Sequence, residues 1–184
     1  SHFVIYSHGF GARKDDGGIF TSIAEAYPDT RHIMTDLNDV DEVSNTITVA
    51  SLDTQIKKLR GVVDNLLLQD EDTLDIIAHS QGCAVAALLH PKVRNIILLA
   101  PPHNVNVERV VAYFRSRITN LDLGKDLTIP RRDGSTTIIP PVYWESIKGL
   151  DLVNAYNQLT NDNPVTVVLA GNDEVLGKTD FSGL

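Results

Sequence analysis

Residues 75–89 read DIIAHSQGCAVAALL, and this stretch constrains the fold more than any other. An apolar run of strand character, Ile76-Ile77-Ala78, ends at once in His79-Ser80-Gln81-Gly82, and a second apolar run follows at helical spacing. A buried strand that passes directly into a buried helix belongs in a sheet whose faces are covered by helices. The serine then stands on the corner itself, framed by Ala78 and Gly82. Small residues are needed there because a sharp strand-to-helix turn brings neighbouring backbones close. The turn exposes the Ser80 hydroxyl above a helix N-terminus, where developing negative charge is favoured. The bland alternative is an N-cap serine.

The rest of the chain alternates in the same way. Phe3–Tyr6 is a β-rich run, a helix is expected over Ile19–Tyr27, and Arg31–Thr35 reads as a short strand before an acidic loop, Asp36 to Asp41. Leu52, Ile56, Leu59, Val63 and Leu66 share one face of a helix expected over Val49–Leu68. Strands are expected at Thr73–Ala78, Val93–Leu99 and Val165–Ala170, with a helix at Gly82–Leu89 stopped by Pro91. This is the pattern of an α/β protein with a mostly parallel, doubly wound sheet. Residues 103–162 break the rhythm, and they are long for a single crossover. They predict an amphipathic helix over Val107–Ile118, a hairpin over Leu127–Pro140 turning at Asp133-Gly134, and one or two helices over Tyr143–Leu159 broken near Gly149. The expected organisation is a core of residues 1–102 and 163–184, with 103–162 inserted over its active edge as a helix–hairpin–helix lid.

A nucleophilic Ser80 needs donors for an oxyanion, a base, and an acid that orients the base. The backbone N–H of Gln81, next after the serine, is one candidate donor. His8-Gly9-Phe10-Gly11 directly follows the first strand. Its glycines let the backbone bend toward a substrate, and the Phe10 N–H is the second candidate donor. Asp173 lies just past the strand Val165–Ala170, at the edge where sites of open α/β sheets collect, and is the candidate acid. Glu174 beside it is the alternative. His8, Tyr113, Tyr143 and Trp144 are candidate pocket residues, the three aromatics being equally readable as lid core.

SHGFG at 7–11, AHSQGCAVA at 78–86, NIILLAPP at 95–102 and VVLAGNDEV at 167–175 together resemble the α/β-hydrolase superfamily, over nearly the whole chain. DGSTTIIPPVYWES at 133–146, between helices, is more loosely similar to the lid of bacterial cinnamoyl and feruloyl esterases. The resemblance implies an α/β-hydrolase fold, catalytic residues in the order Ser, Asp, His, and cleavage of small carboxylic esters through an acyl-enzyme on Ser80. It implies no cofactor and no metal. The departure is the base, because all six histidines (His2, His8, His32, His79, His90, His103) precede Asp173. His103 lies on the correct edge of the sheet, but not at the family position. The expectation is therefore a catalytic histidine beyond Leu184, in a polypeptide heavier than these 184 residues.

A net charge of −8 argues against nucleic acid and anionic membrane surfaces as partners. No apolar run reaches the length of a membrane span. The single cysteine, Cys83, allows no intrachain disulfide and reads as a small buried residue. No signal peptide is visible, although the chain opens Ser1-His2 without a methionine, and a cytoplasmic protein is expected. The expected partner is a small-molecule ester, with a homodimer through the lid as a further option. Peptidase, thioesterase and lipase chemistry stay open on this fold. So does a non-catalytic binding module that lacks the histidine.

Overall fold

The chain order of elements begins β1 (His2–Ser7), α1 (Ile19–Ala26), β2 (Arg31–Met34), β3 (Asp39–Asp41), β4 (Thr46–Thr48), α2 (Leu52–Asp64), β5 (Thr73–His79) and α3 (Gln81–Leu89). It continues β6 (Asn95–Leu99), α4 (Val107–Arg115), β7 (Leu127–Pro130), β8 (Thr136–Ile139), α5 (Pro141–Ser146), α6 (Leu152–Asp162) and β9 (Val165–Val168). The structure is a computed structural model. Its described residues are 1–103, 107–116, 118 and 120–171, without the side chains of Val107, Arg109 and Tyr113.

Five strands pair in the order β2-β1-β5-β6-β9, all parallel. The chain steps from β1 to β2 on one side, and β5, β6 and β9 add on the other. β1 and β5 therefore flank the point where strand order reverses, and their C-terminal ends open a crevice. The register puts Ser7 beside Ala78 and His79 beside Leu99, so the glycine-containing loop after β1 and the serine corner leave the sheet at the same height.

Helices cover both faces. Phe3, Ile5, Leu74, Ile76 and Ala78 point to one face and join a large apolar cluster with residues of α2, α3 and α6. Val4, Tyr6 and Ile77 point the other way, onto Phe20 of α1. Apart from Gln81, only Leu88 of α3 is not fully buried, because the helix is enclosed by the sheet, α2 and α6. This is why its sequence shows no polar face.

The acidic stretch expected to be a loop is a correction. β3 lies within it and pairs antiparallel with β4, and β4 pairs in parallel with β8 of the hairpin. The result is a second, four-stranded sheet in the order β3-β4-β8-β7. Asp39 and Asp41 face solvent, while Ile47 and Ile139 are buried, so the pairing rests on the apolar face that the hairpin supplies. The expected long helix starts later, at Leu52, because the Ser51 hydroxyl caps it by accepting from the Thr54 N–H at 3.3 Å.

The hairpin turns where Asp133-Gly134 predicts. Gly134 has φ 84°, and Asp133 Oδ1 accepts from the Ser135 N–H at 2.9 Å. The helical segment after it breaks at Gly149, with φ 67°, as expected. Its second half, α6, buries Leu152, Ala155, Tyr156 and Leu159 against the main cluster. The stretch 103–162 thus contributes both to the second sheet and to the helix layer over the first.

Candidate active site

Ser80 stands between β5 and α3 with φ 49° and ψ −122°, a conformation that L-residues rarely adopt. Three contacts hold it there. Its N–H donates to the Leu99 carbonyl at 2.8 Å, its own carbonyl accepts from the Cys83 N–H at 2.9 Å, and the Ser7 hydroxyl donates to the Gly82 carbonyl at 2.9 Å. The corner is so close to the end of β1 that a Cβ on Gly82 would lie 2.0 Å from the Ser7 carbonyl oxygen. Ala78, fully buried on the near side, fills the other small-residue position. The Ser80 hydroxyl caps no helical N–H, so the N-cap reading does not describe it.

The loop after β1 passes directly over this corner. A Cβ on Gly9 would lie 3.4 Å from Ser80 Cβ and 3.3 Å from His79 Nδ1. The N–H groups of Phe10 and Gln81 have no acceptor among the described residues. One is in the loop beside the serine and the other opens α3, where the first N–H groups of a helix lack intrahelical partners.

His8 does not face the crevice. It is 1% exposed, and its Nε2 accepts from the Leu37 N–H at 2.8 Å. That leaves the proton on Nδ1, which donates to the Gly9 carbonyl at 3.0 Å. With both nitrogens engaged, His8 anchors the loop rather than lining a pocket. Burial pushes its pKa below the ordinary histidine value.

Phe10, half-buried, packs its ring 5.2 Å from that of Tyr143 and 6.2 Å from that of Phe114. Trp144 is buried behind them, 6.0 Å from Phe114 in an edge-on arrangement. Tyr143 and Trp144 thus build an aromatic wall whose members are largely covered. The Tyr143 hydroxyl donates to Gln81 Oε1, Gln81 Nε2 donates to Gln55 Oε1 at 3.1 Å, and Gln55 Nε2 donates to the Ala50 carbonyl at 2.9 Å. This chain of amides ties α5 and α2 to the first residue of α3. Burial pushes the Tyr143 phenol far above its ordinary value, so it stays a donor. Asp173 and the Tyr113 side chain lie outside the described residues.

Sequence reasoning missed Asp16. Its carboxylate is 8% exposed, and its Oδ2 accepts both the Gly9 N–H at 2.9 Å and the His79 Nδ1–H at 2.6 Å. The only hint was an acidic pair, Asp15-Asp16, in the loop after the glycines, and nothing marked His79 as its partner. The other histidines are committed elsewhere. His2 bonds Asp75, His32 bonds Tyr6 and the Tyr27 carbonyl, and His90 pairs with Asp162. His103 follows β6 and is half-buried. Cys83 is buried with its thiol pKa pushed up by desolvation, and its Sγ donates to the Ala78 carbonyl at 3.3 Å. Among the described residues, no three His, Cys, Asp or Glu side chains converge to hold a metal, and no helix is long and apolar enough to cross a membrane.

No protein-family model and no curated protein sequence matches this chain. Solved structures do match. The α/β hydrolase GrgF from Penicillium sp. sh18 is 18% identical, with 95% of this chain and 73% of that chain covered at a TM-score of 0.64. Est1E from Butyrivibrio proteoclasticus is 17% identical, with 96% and 69% covered at 0.61. A monoacylglycerol lipase from Paleococcus ferrophilus is 13% identical, with 95% and 75% covered at 0.56. The chain has the α/β-hydrolase fold, with a mostly parallel sheet and its serine corner at the C-terminal end of β5.

Proposed function

We propose that this protein is a serine hydrolase that cleaves small carboxylic esters. The observation that carries the reading is the strained Ser80 corner, wedged by Gly82 against the end of β1 and overhung by the Gly9-Phe10 loop. A left-handed, non-glycine residue that caps nothing costs stability, and exposure of a nucleophile is the return that explains it. In this reading Ser80 Oγ attacks the ester carbonyl and passes its proton to a histidine that Asp173 orients. The Phe10 and Gln81 N–H groups take up the charge of the tetrahedral oxyanion. Collapse expels the alcohol, which receives the proton from the histidine. Water, deprotonated by the same histidine, then attacks the acyl-enzyme, and a second collapse frees the acid and the serine.

The half-buried Phe10 ring in the loop over Ser80, backed by the buried rings of Phe114 and Tyr143, supports an apolar or aryl group on the substrate. Structures of the same fold include a monoacylglycerol lipase and a pyrethroid hydrolase from Sphingobium faniae, in keeping with ester chemistry. The test is to treat the full polypeptide with a fluorophosphonate probe and with short p-nitrophenyl esters. One adduct on Ser80, and hydrolysis abolished by Ser80→Ala, is the expected result. Absence of both adduct and turnover in the wild type would overturn the reading in favour of a binding module.

A further inference from the structure

We infer that Asp16 and His79 are positioning residues for the oxyanion hole: one carboxylate oxygen ties the loop that carries one donor to the corner that carries the nucleophile. The inference rests on the serine-hydrolase reading above. Its geometry is direct. Asp16 Oδ2 accepts the Gly9 N–H at 2.9 Å and the His79 Nδ1–H at 2.6 Å. Gly9 immediately precedes Phe10, whose N–H is the loop's oxyanion donor, and His79 immediately precedes Ser80. The position of a Cβ on Gly9 lies 3.3 Å from His79 Nδ1, 3.4 Å from Ser80 Cβ and 3.6 Å from Asp16 Oδ1. Acid, imidazole, loop and nucleophile therefore meet at one point.

The arrangement is costly in itself. Asp16 is a non-glycine residue at φ 50°, followed by Gly17 at 64° and Gly18 at 94°, and its carboxylate is buried. The charge-assisted bonds to Gly9 and His79 offset that cost, and both bonds point at the site. Without them the loop keeps the His8 Nδ1–H bond to the Gly9 carbonyl at 3.0 Å, the turn bond from the Ala12 N–H to the same carbonyl at 3.3 Å and the Asn38 amide on the Ala12 carbonyl at 3.1 Å, and none of these reaches the serine corner. The Phe10 N–H would then no longer be aimed where the oxyanion forms, and such a donor acts only when it is held in place beforehand.

The experiment compares His79→Leu with His79→Asn in the full polypeptide, each checked for folding by its melting temperature. The side-chain nitrogen of asparagine falls where Nδ1 of histidine lies, so it can still donate to Asp16. Asp16→Asn, which removes the charge from the other side, is the second variant. For p-nitrophenyl ester hydrolysis, His79→Leu and Asp16→Asn are expected to lower kcat by about 10²-fold with KM nearly unchanged, the loss typical of one oxyanion donor. Affinity for a trifluoromethyl ketone, which forms a tetrahedral adduct on Ser80, is expected to fall in parallel. His79→Asn is expected to recover most of both losses. A wild type that neither labels nor hydrolyses removes the parent reading and this one with it. An active wild type matched by His79→Leu overturns the positioning role alone. His79→Asn as inert as Ser80→Ala overturns it too, because the imidazole would then be the base. A fall in kcat with inhibitor affinity unchanged places the defect outside the oxyanion hole and also overturns it.

Discussion

Two glycines at the serine corner meet their neighbours differently, and the difference is measurable. A Cβ on Gly82 would strike a backbone carbonyl at 2.0 Å, which neither β1 nor α3 can yield without moving. A Cβ on Gly9 meets side-chain atoms at 3.3 and 3.4 Å, which a few tenths of an ångström relieve. Gly82→Ala is therefore expected to cost about 3 kcal/mol or more, read as a drop in the urea midpoint or as loss of soluble protein. Gly9→Ala should keep its midpoint yet label with a fluorophosphonate about tenfold more slowly, since small displacements at a reacting centre act on rate. Equal behaviour of the two variants would contradict the wedge. His8 gives a pH signature at the same scale. Its folded pKa lies below its unfolded value because burial disfavours the charged ring, and protonation would end its acceptance from the Leu37 N–H. The unfolded chain thus binds the extra proton more readily. Stability from His8 is complete above about pH 6.5 and declines as pH falls below that value. Urea midpoints measured from pH 7.5 down to 5.5 should fall more steeply for the wild type than for His8→Asn.

At the scale of elements, capping gives the cleanest expectation. Asp151 caps α6 by accepting from the Asn154 N–H at 3.0 Å, and α6 buries Leu152, Ala155, Tyr156 and Leu159. Asp151→Ala should destabilise by about 1 kcal/mol in urea unfolding, and Asp151→Asn by less, because asparagine keeps the acceptor. An Asn variant as damaged as the Ala variant would locate the effect elsewhere. The elements also explain what the sequence could tell. Strands β1, β5 and β6 and helices α3 and α6 were legible because each is set by its own apolar pattern and its own stop signals. The hairpin was legible from Asp133-Gly134. Strands β3 and β4 were not, since Asp39-Val40-Asp41 and Thr46-Ile47-Thr48 are three residues each, two of them polar in either strand. The hairpin strand that β4 pairs with, β8, lies about ninety residues on. The site divided in the same way. The Ser80 corner is local, and its residue types announce it. The bond from Asp16 to His79 spans 63 positions, and the network from Tyr143 through Gln81 to Gln55 spans 62 and then 26. Such pairings exist only once the sheet has brought β1, β5 and the later helices together.

Across the whole molecule, the buried apolar residues described divide between the two faces of the sheet, and the turn beside the site leans on the face that α1 covers. The larger cluster packs α2, α3 and α6 over Phe3, Ile5, Leu74 and Ile76. The smaller packs Phe20 of α1 over Val4, Tyr6 and Ile77, with the Phe20 and Tyr6 rings 4.7 Å apart. Burial raises the Tyr6 phenol to about 12, and its hydroxyl donates to His32 Nδ1 at 2.9 Å, so Tyr6 serves β2 as well. The strained turn holding Asp16 runs straight into α1, and the Asp15 carbonyl accepts from both the Gly18 and Phe20 N–H groups at 3.1 Å. Docking of α1 therefore sets the turn, and the turn sets the Gly9-Phe10 loop. Phe20→Ala and Leu59→Ala both empty a fully buried apolar site, at costs of about 3–5 and 2–5 kcal/mol. Leu59 lies on α2, away from that turn. At a temperature where both variants remain folded, Phe20→Ala should slow fluorophosphonate labelling of Ser80 well beyond Leu59→Ala, because local opening of α1 frees the loop while the sheet persists. Labelling rates that follow global stability alone, in both variants, would show that the site does not depend on this face.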